Sequence, residues 1–346
     1  NCTTLRDLWR FTAQDRLLHA LPIFHTHGLF VATNVTLAAG ASMLYCNRFD
    51  SAELLRLMPE ATVLMGVPTF YSRLLAEPGF QRETAAGMRL FVSGSAPLSA
   101  ETHKAFEART GHSILERYGM TETNMNTSNP YDGERVPGSV GPPLPGVDVR
   151  IADPATGRDL APEGPGTVGV IEVRGPNVFS GYWRLPEKTT EDFRADGFFV
   201  TGDLGYRDAR GYVFISGRAK DLIICGGFNV YPAEVEAVLD AIPGVVDSAV
   251  VGAPHPDLGE GVVAVVQWAG VSGVPEIPVA GSKPEGFDEA AALGQIHSAL
   301  RDQLARYKQP RRVVFVPALP RNAMGKVQKK LLREQYADSF AGSNSP

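Results

Sequence analysis

Four short clusters in this 346-residue chain set hydroxyls, carboxylates and cations beside glycines, where backbone can approach a bound group closely. Tyr118-Gly119-Met120-Thr121-Glu122-Thr123 follows the apolar pair Ile114-Leu115. A hydroxyl and a carboxylate side by side at a strand end can hold a phosphate oxygen and a Mg²⁺ ion. A threonine at position 121 or 123 also suits a helix N-cap in a plain loop. Thr201-Gly202-Asp203 offers an acceptor for ribose hydroxyls, and the same tripeptide makes an ordinary Asx turn. Gly217-Arg218-Ala219-Lys220-Asp221, followed by Gly226-Gly227-Phe228-Asn229, suits a linker that swings, or else a charged hairpin with flexible glycines. Pro320-Arg321-Asn322-Ala323-Met324-Gly325-Lys326 puts a compact point charge on a glycine loop, fit for a phosphate or carboxylate. A solvated surface lysine is the commonplace alternative. His25-Thr26-His27 has the spacing of a metal pair but no third ligand nearby.

The elements that must carry these clusters read as strand, turn and helix in alternation. Residues 17–24 form an apolar run ending in the polar turn His25-Thr26-His27-Gly28. Residues 62–67 predict a strand stopped by Pro68 and residues 69–75 a helix. A strand over 89–92 closes in Ser93-Gly94-Ser95-Ala96-Pro97, and a helix over 99–110 has Ser99 as N-cap and Gly111 past its end. This alternation argues for a layered α/β domain whose ligands sit at the carboxyl ends of the strands, where the polar turns fall. From residue 136 glycine and proline crowd in around short runs at 147–151, 167–173 and 198–200, a β-rich subdomain. Beyond residue 218 the pattern is helix (232–241), strand (245–251), strand (261–268), helix (290–305) and strand (312–316), a compact α+β domain. Residues 270–288, rich in Pro, Gly and Ser, read as a flexible surface loop. The division expected is 1–218 (with 136–218 the β-rich part), 219–338, and a tail over 339–346.

Composition narrows the classes. With 44% hydrophobic and 21% charged residues the chain is an ordinary globular protein, without a disorder signature or an apolar run long enough for a bilayer. A net charge of −5 argues against general nucleic-acid binding, which wants a basic face. Cys2, Cys46 and Cys225 are odd in number and far apart, which fits free thiols in a reducing compartment. No signal or transit segment opens the chain, which points to the cytoplasm; it begins Asn-Cys-Thr-Thr, without methionine.

Taken in order, Ser93–Pro97, Tyr118–Glu122, Thr201-Gly202-Asp203, Gly217–Asp221 and Pro320–Lys326 resemble the core motifs of the acyl-adenylate-forming superfamily. The likeness is nearest to malonyl-CoA synthetases. Leu21-Pro22-Ile23-Phe24-His25-Thr26-His27-Gly28-Leu29-Phe30, Val63-Leu64-Met65-Gly66-Val67-Pro68-Thr69-Phe70-Tyr71 and the stretch 116–132 look like that subfamily's segments. Arg117 weighs most, because relatives often carry a small residue before the Tyr-Gly pair. Malonate keeps a second carboxylate after the first is activated, and a pocket arginine offsets the burial of that charge. A structural ion pair of Arg117 with Glu116 or another carboxylate is the alternative.

The resemblance implies the C-terminal part of a large adenylate-forming domain followed by a small mobile α+β domain. It implies ATP, Mg²⁺ and coenzyme A as the reaction partners of the acid. In the first half-reaction the carboxylate attacks the α-phosphorus of ATP and pyrophosphate leaves; in the second the coenzyme A thiol attacks the acyl carbonyl and AMP leaves. By resemblance Lys326 bridges carboxylate and α-phosphate, Thr121 holds phosphate, and Glu122 holds Mg²⁺. Gly94, Ser95, Ala96, Tyr118 and Gly119 frame the adenine, while Asp203 and Arg218 hold the ribose. Arg117, His27 and Met120 line the acid pocket. Lys220 or Asp221 is the hinge, and the Gly226-Gly227 turn lines the pantetheine tunnel. The Ser/Thr/Gly-rich phosphate loop that full-length relatives carry is expected upstream of residue 1. An acid–CoA ligase for a medium-chain or aryl acid, or a non-catalytic remnant that binds nucleotide or a partner, are the rival expectations.

Overall fold

The computed structural model describes residues 1–154, 156–162, 164–269, 287–322 and 325–341. The chain divides into two compact units, Asn1–Ile215 and Ser216–Pro346.

The first unit opens with helix α1 (Cys2–Leu8) and builds a six-stranded sheet in the order β2-β1-β3-β4-β5-β6. Its strands are β1 (Arg16–His19), β2 (Ser42–Tyr45), β3 (Val63–Gly66), β4 (Leu90–Ser93), β5 (Leu115–Met120) and β6 (Asn124–Ser128). The first five run parallel, and β6 folds back antiparallel on β5. Helices connect them: a π-helical turn (His27–Thr33) leading into α2 (Asn34–Ala38), then α3 (Ser51–Leu57), α4 (Pro68–Ala76) and α5 (Ala100–Thr110). Parallel strands need such crossovers, and sheets built from them are covered on both faces. Accordingly β3 and β4 are buried at every position. The predicted caps of α5 form: Ser99 Oγ accepts the Thr102 N–H at 3.1 Å, and Gly111 takes φ +77°. The apolar run at 17–24 is only partly a strand. β1 ends at His19, and Ile23 and Phe24 are exposed.

Next comes a four-stranded sheet, β10-β9-β8-β7, from β7 (Asp148–Ala152), β8 (Gly169–Arg174), β9 (Phe199–Arg207) and β10 (Val213–Arg218), with α6 (Pro186–Asp192) between β8 and β9. Thr201-Gly202-Asp203 lies inside β9, so it is neither an Asx turn nor a strand end. Gly202 at φ +73° kinks the strand where its register against β8 shifts.

The second unit holds β11 (Ile223–Cys225), β12 (Phe228–Val230), α7 (Pro232–Asp240), β13 (Val245–His255), β14 (Gly259–Trp268), α8 (Glu289–Gln303), β15 (Arg312–Val316) and α9 (Lys329–Gln335). Strand order is β12-β11-β14-β13, with β15 parallel to β14 on its own pairing. The continuous apolar run Val262-Val263-Ala264-Val265-Val266 serves two cores because strand side chains alternate. Val262, Ala264 and Val266 join α7 and α8; Val263 and Val265 join Leu332, Tyr336 and Phe340. Phe340, expected in a tail, is therefore a core residue. The surface loop expected at 270–288 lies, up to residue 286, outside the described residues. Among the described residues no helix is long and apolar enough to cross a membrane.

Candidate active site

In the first unit the polar turns gather at the carboxyl ends of the parallel strands, the position that sheets of this kind use for ligands. Arg117, in β5, is 3% exposed. Alternation puts its neighbour Glu116 on the other face, where the carboxylate lies 3.3 Å from His103 Nδ1 and accepts the Gly138 N–H. Burial pushes the Glu116 carboxyl up, and the His103 contact opposes it. The ion pair between Arg117 and Glu116 is thus not made. Arg117 Nε and Nη2 are buried and have no hydrogen-bond partner among the described residues. Burial pulls the guanidinium down to about 10, so it keeps its proton at neutral pH.

What surrounds this cation is polar but uncharged. Tyr71 donates to the Val92 carbonyl at 2.6 Å, and burial drives its phenol pKa far up while the Arg117 charge opposes. Gly94 packs so closely that a Cβ there would lie 2.3 Å from Arg117 Nη1. Ser95, held at φ +73°, places Oγ 3.2 Å from His27 Nδ1. His27 Nε2 and Ser93 Oγ are buried without partners among the described residues. Burial, with the Arg117 charge second, keeps His27 neutral well below its usual pKa. A protonated guanidinium, desolvated, short of partners and beside a neutral imidazole, has the chemistry to receive a small anion.

Beside this receptor, β5 and β6 close in a hairpin with Thr121-Glu122-Thr123 at its tip. No helix follows, so neither threonine is a helix cap. Met120 is half-buried where β5 ends, Gly119 stands at the bulge in the ladder, and Thr121 is exposed. Asn124, at φ +49°, turns the chain back. The segment after β8 grips this tip: Asn177 Nδ2 donates to the Thr123 and Met125 carbonyls, and the Phe179 N–H to the Glu122 carbonyl at 2.8 Å. Tyr182 Oη reaches Glu122 Oε1 at 3.3 Å. Tyr118 Oη donates to Asp203 Oδ2 at 2.5 Å, joining two residues far apart in sequence, and Asp203 is buried. Ala96 is half-buried behind Ser95.

The second unit carries the remaining named residues. Arg218 closes β10, and a 3₁₀ turn (Ala219–Asp221) follows. Lys220 is exposed, whereas Asp221 pairs with Arg333 at 2.6 Å. Gly226 and Gly227 take φ +58° and +81°, the left-handed pair that a two-residue hairpin between β11 and β12 demands. Gly325, at φ +73°, precedes Lys326. The Lys326 N–H donates to Asn322 Oδ1, and its carbonyl accepts the Asn322 N–H, both at 3.0 Å.

Metal chemistry has narrow room. Among the described residues no group of three His, Cys, Asp or Glu could hold a metal ion, and the His25 ring instead accepts the His27 backbone N–H at 3.2 Å. A nucleotide-bound Mg²⁺ needs only one or two carboxylates besides phosphate and water, and the half-buried Glu122 fits that demand. Asn177 and Tyr182 carried no signal in the sequence, since neither adjoins a motif and both reach the hairpin only through the fold.

Comparison with known proteins agrees with this layout. The family profile described as AMP-binding enzyme matches residues 1–183, and that of the AMP-binding enzyme C-terminal domain matches residues 234–326. The chain is 36% identical to a malonate–CoA ligase of Arabidopsis thaliana, over 95% of this chain and 55% of that one. It is 41% identical to a sulfoacetate–CoA ligase of Cupriavidus necator, over 92% and 59%. The ATP-bound crystal structure of MatB from Rhodopseudomonas palustris superposes with a TM-score of 0.89 at 60% identity, covering 98% of this chain and 64% of that one. The chain thus spans less than two thirds of the length of each. One profile runs through the Arg117 receptor and the Thr121–Glu122 hairpin, and the other ends on Lys326, so this chain belongs to the AMP-binding enzymes.

Proposed function

We propose that the protein takes part in the ATP-dependent, AMP-forming ligation of malonate to coenzyme A through malonyl-AMP. The observation that carries this reading is Arg117, a buried cation with two unpartnered donors and no carboxylate within ion-pair distance among the described residues. An acid that keeps an anionic group remote from its reacting carboxylate completes this site; an apolar acid leaves the charge unmet. His27 and Met120 border the same pocket in this reading.

The other roles follow the resemblance. Gly94, Ser95, Ala96, Tyr118 and Gly119 frame adenine, the Tyr118–Asp203 bond holds the ribose acceptor in place, and Arg218 is a second ribose contact. Thr121 holds phosphate. Glu122 would hold Mg²⁺, which when bound offsets the phosphate charge. Lys326 joins carboxylate and α-phosphate, offsetting their mutual repulsion. Lys220 or Asp221 serves as the hinge, and Gly226-Gly227 lets the pantetheine arm pass close to backbone.

The test is AMP release by this chain from ATP, Mg²⁺ and coenzyme A, with malonate, sulfoacetate or acetate as the acid. A guanidinium pairs a sulfonate as well as a carboxylate, so sulfoacetate is the informative competitor. AMP release that depends on malonate and exceeds that with sulfoacetate supports the reading. Release that favours sulfoacetate or acetate overturns it.

A further inference from the structure

Two ion pairs bracket the Lys326 loop and tie it to the body of the second unit. Upstream, Arg321 pairs with Asp247, which sits at the irregularity near the start of β13. The same guanidinium donates from Nη1 to the Gly325 carbonyl at 2.5 Å. Downstream, Lys329 at the start of α9 pairs with Glu236 of α7 at 2.6 Å, and Glu236 is itself fixed by accepting the Val250 N–H at 2.7 Å. The Asp247 side chain is aimed as well, because its Oδ1 accepts the Ser248 N–H at 2.9 Å, leaving Oδ2 for Arg321. These side chains are 17–28% exposed, so solvent and salt screen them less than ordinary surface pairs.

Arg321 is the centre of the arrangement. Its fork holds a carboxylate with one nitrogen and the Gly325 carbonyl with another, which a lysine's single ammonium does not reproduce. Gly325 adjoins Lys326, and the chain on either side is closed by the Arg321–Val327 bridge and by the Gly325 N–H on the Asn322 carbonyl at 2.9 Å. We propose that Asp247 is a positioning residue for Lys326, acting through Arg321 on the backbone that carries the lysine. This rests on Lys326 being the lysine of the adenylation step. A displacement of about 1 Å at a reacting group can slow a reaction by about 10²-fold, so the anchoring bears on rate without touching substrate.

Two readouts on the full chain, for Asp247→Asn and Arg321→Lys, decide it. The first is amide hydrogen exchange in the ligand-free protein. Exchange at Gly325 and Lys326 should rise about tenfold in Asp247→Asn, the loss of roughly one charge-assisted hydrogen bond, with β13 and β14 unchanged. Arg321→Lys should raise it as well, because the second prong is gone. No change, or a rise spread over the whole unit, overturns the proposal. The second readout compares pyrophosphate release from ATP and malonate with thioester formation from preformed malonyl-AMP. Asp247→Asn should lower the first about 10–100-fold with little change in the KM for ATP, and leave the second within about twofold. Equal losses in both overturn the positioning role. If the unsubstituted chain releases no pyrophosphate, ligation by this chain falls rather than the anchor, and hydrogen exchange alone decides whether Asp247 positions the loop.

Discussion

Arg117 shows a single residue held against its own solvation. A buried guanidinium without a counter-charge destabilises the ligand-free protein, and a bound dianion relieves that cost. Arg117→Met should therefore raise the melting temperature of the ligand-free protein. It should also abolish the stabilisation by millimolar malonate expected of the unsubstituted chain, and weaken malonate binding about 10–100-fold, the worth of a charged hydrogen bond. Thermal melts with malonate and acetate check both, and an unchanged malonate response sinks the assignment. Tyr182 is the second residue to test. Burial first, then the charges of Glu122 and Asp192, push its phenol up to about 12, so at neutral pH it stays a donor to Glu122. Tyr182→Phe should raise the KM for Mg·ATP about three- to tenfold and leave the KM for malonate alone. A shift in malonate instead of nucleotide would separate Tyr182 from Glu122.

At the scale of elements, α7 carries a proton-dependent weakness. Asp240 ends that helix, where the carbonyl end of the helix already disfavours negative charge. Burial pushes its carboxyl up to about 7; the Ser248 hydroxyl, donating at 2.7 Å, opposes, and the Glu236 charge adds to the rise. In the unfolded chain an aspartate ionises near about 3.9. Between about pH 4 and pH 7 the folded state thus binds more protons than the unfolded one, and this site's contribution to stability falls as pH rises. Asp240→Asn mimics the protonated acid, so its lead in melting temperature over the unsubstituted protein should grow between pH 5 and pH 8. An equal lead at both pH values would remove Asp240 from the account.

Other elements differ in how much of themselves the sequence discloses. Helix α5 is legible because its signals are local: a serine that caps the first turn and a glycine that takes the left-handed exit. The Thr121–Glu122 tip is not, because its hydroxyls and turn residues suit a cap as well as a hairpin. Only the pairing of β6 back onto β5, gripped by Asn177, decides between them. Thr201-Gly202-Asp203 reads as a turn for the same local reason, and becomes mid-strand because β8 supplies a ladder across the kink.

For the whole molecule the division into two units sets what a single substitution can disturb. The anion receptor and the Glu122 hairpin lie within Asn1–Ile215, whereas Lys326 belongs to Ser216–Pro346. Lys326→Ala should leave malonate binding by the first unit intact. It should slow adenylation about 10²–10³-fold, the loss typical of one preorganised electrostatic group, and spare thioester formation from malonyl-AMP. Pyrophosphate release and thioester formation, measured separately, check this; equal losses in the two steps would count against it.

By itself the sequence determined the strand–helix alternation from β3 to α5, the caps of α5 and the family to which the polar clusters belong. Hydrophobic periodicity, caps and glycine positions are properties of neighbours in the chain. It also marked Arg117 as unusual, without deciding whether Glu116 neutralises it. That question belonged to the tertiary structure. The pleat of β5 sends Glu116 to His103 and Arg117 to Tyr71, Gly94 and His27, and burial then leaves the guanidinium unpartnered. Likewise the Tyr118–Asp203 bond, the Tyr182–Glu122 contact and the Arg321–Asp247 anchor join residues whose spacing carries no signal. Each exists only because sheets and helices bring distant segments together, and desolvation there makes an unmet charge consequential.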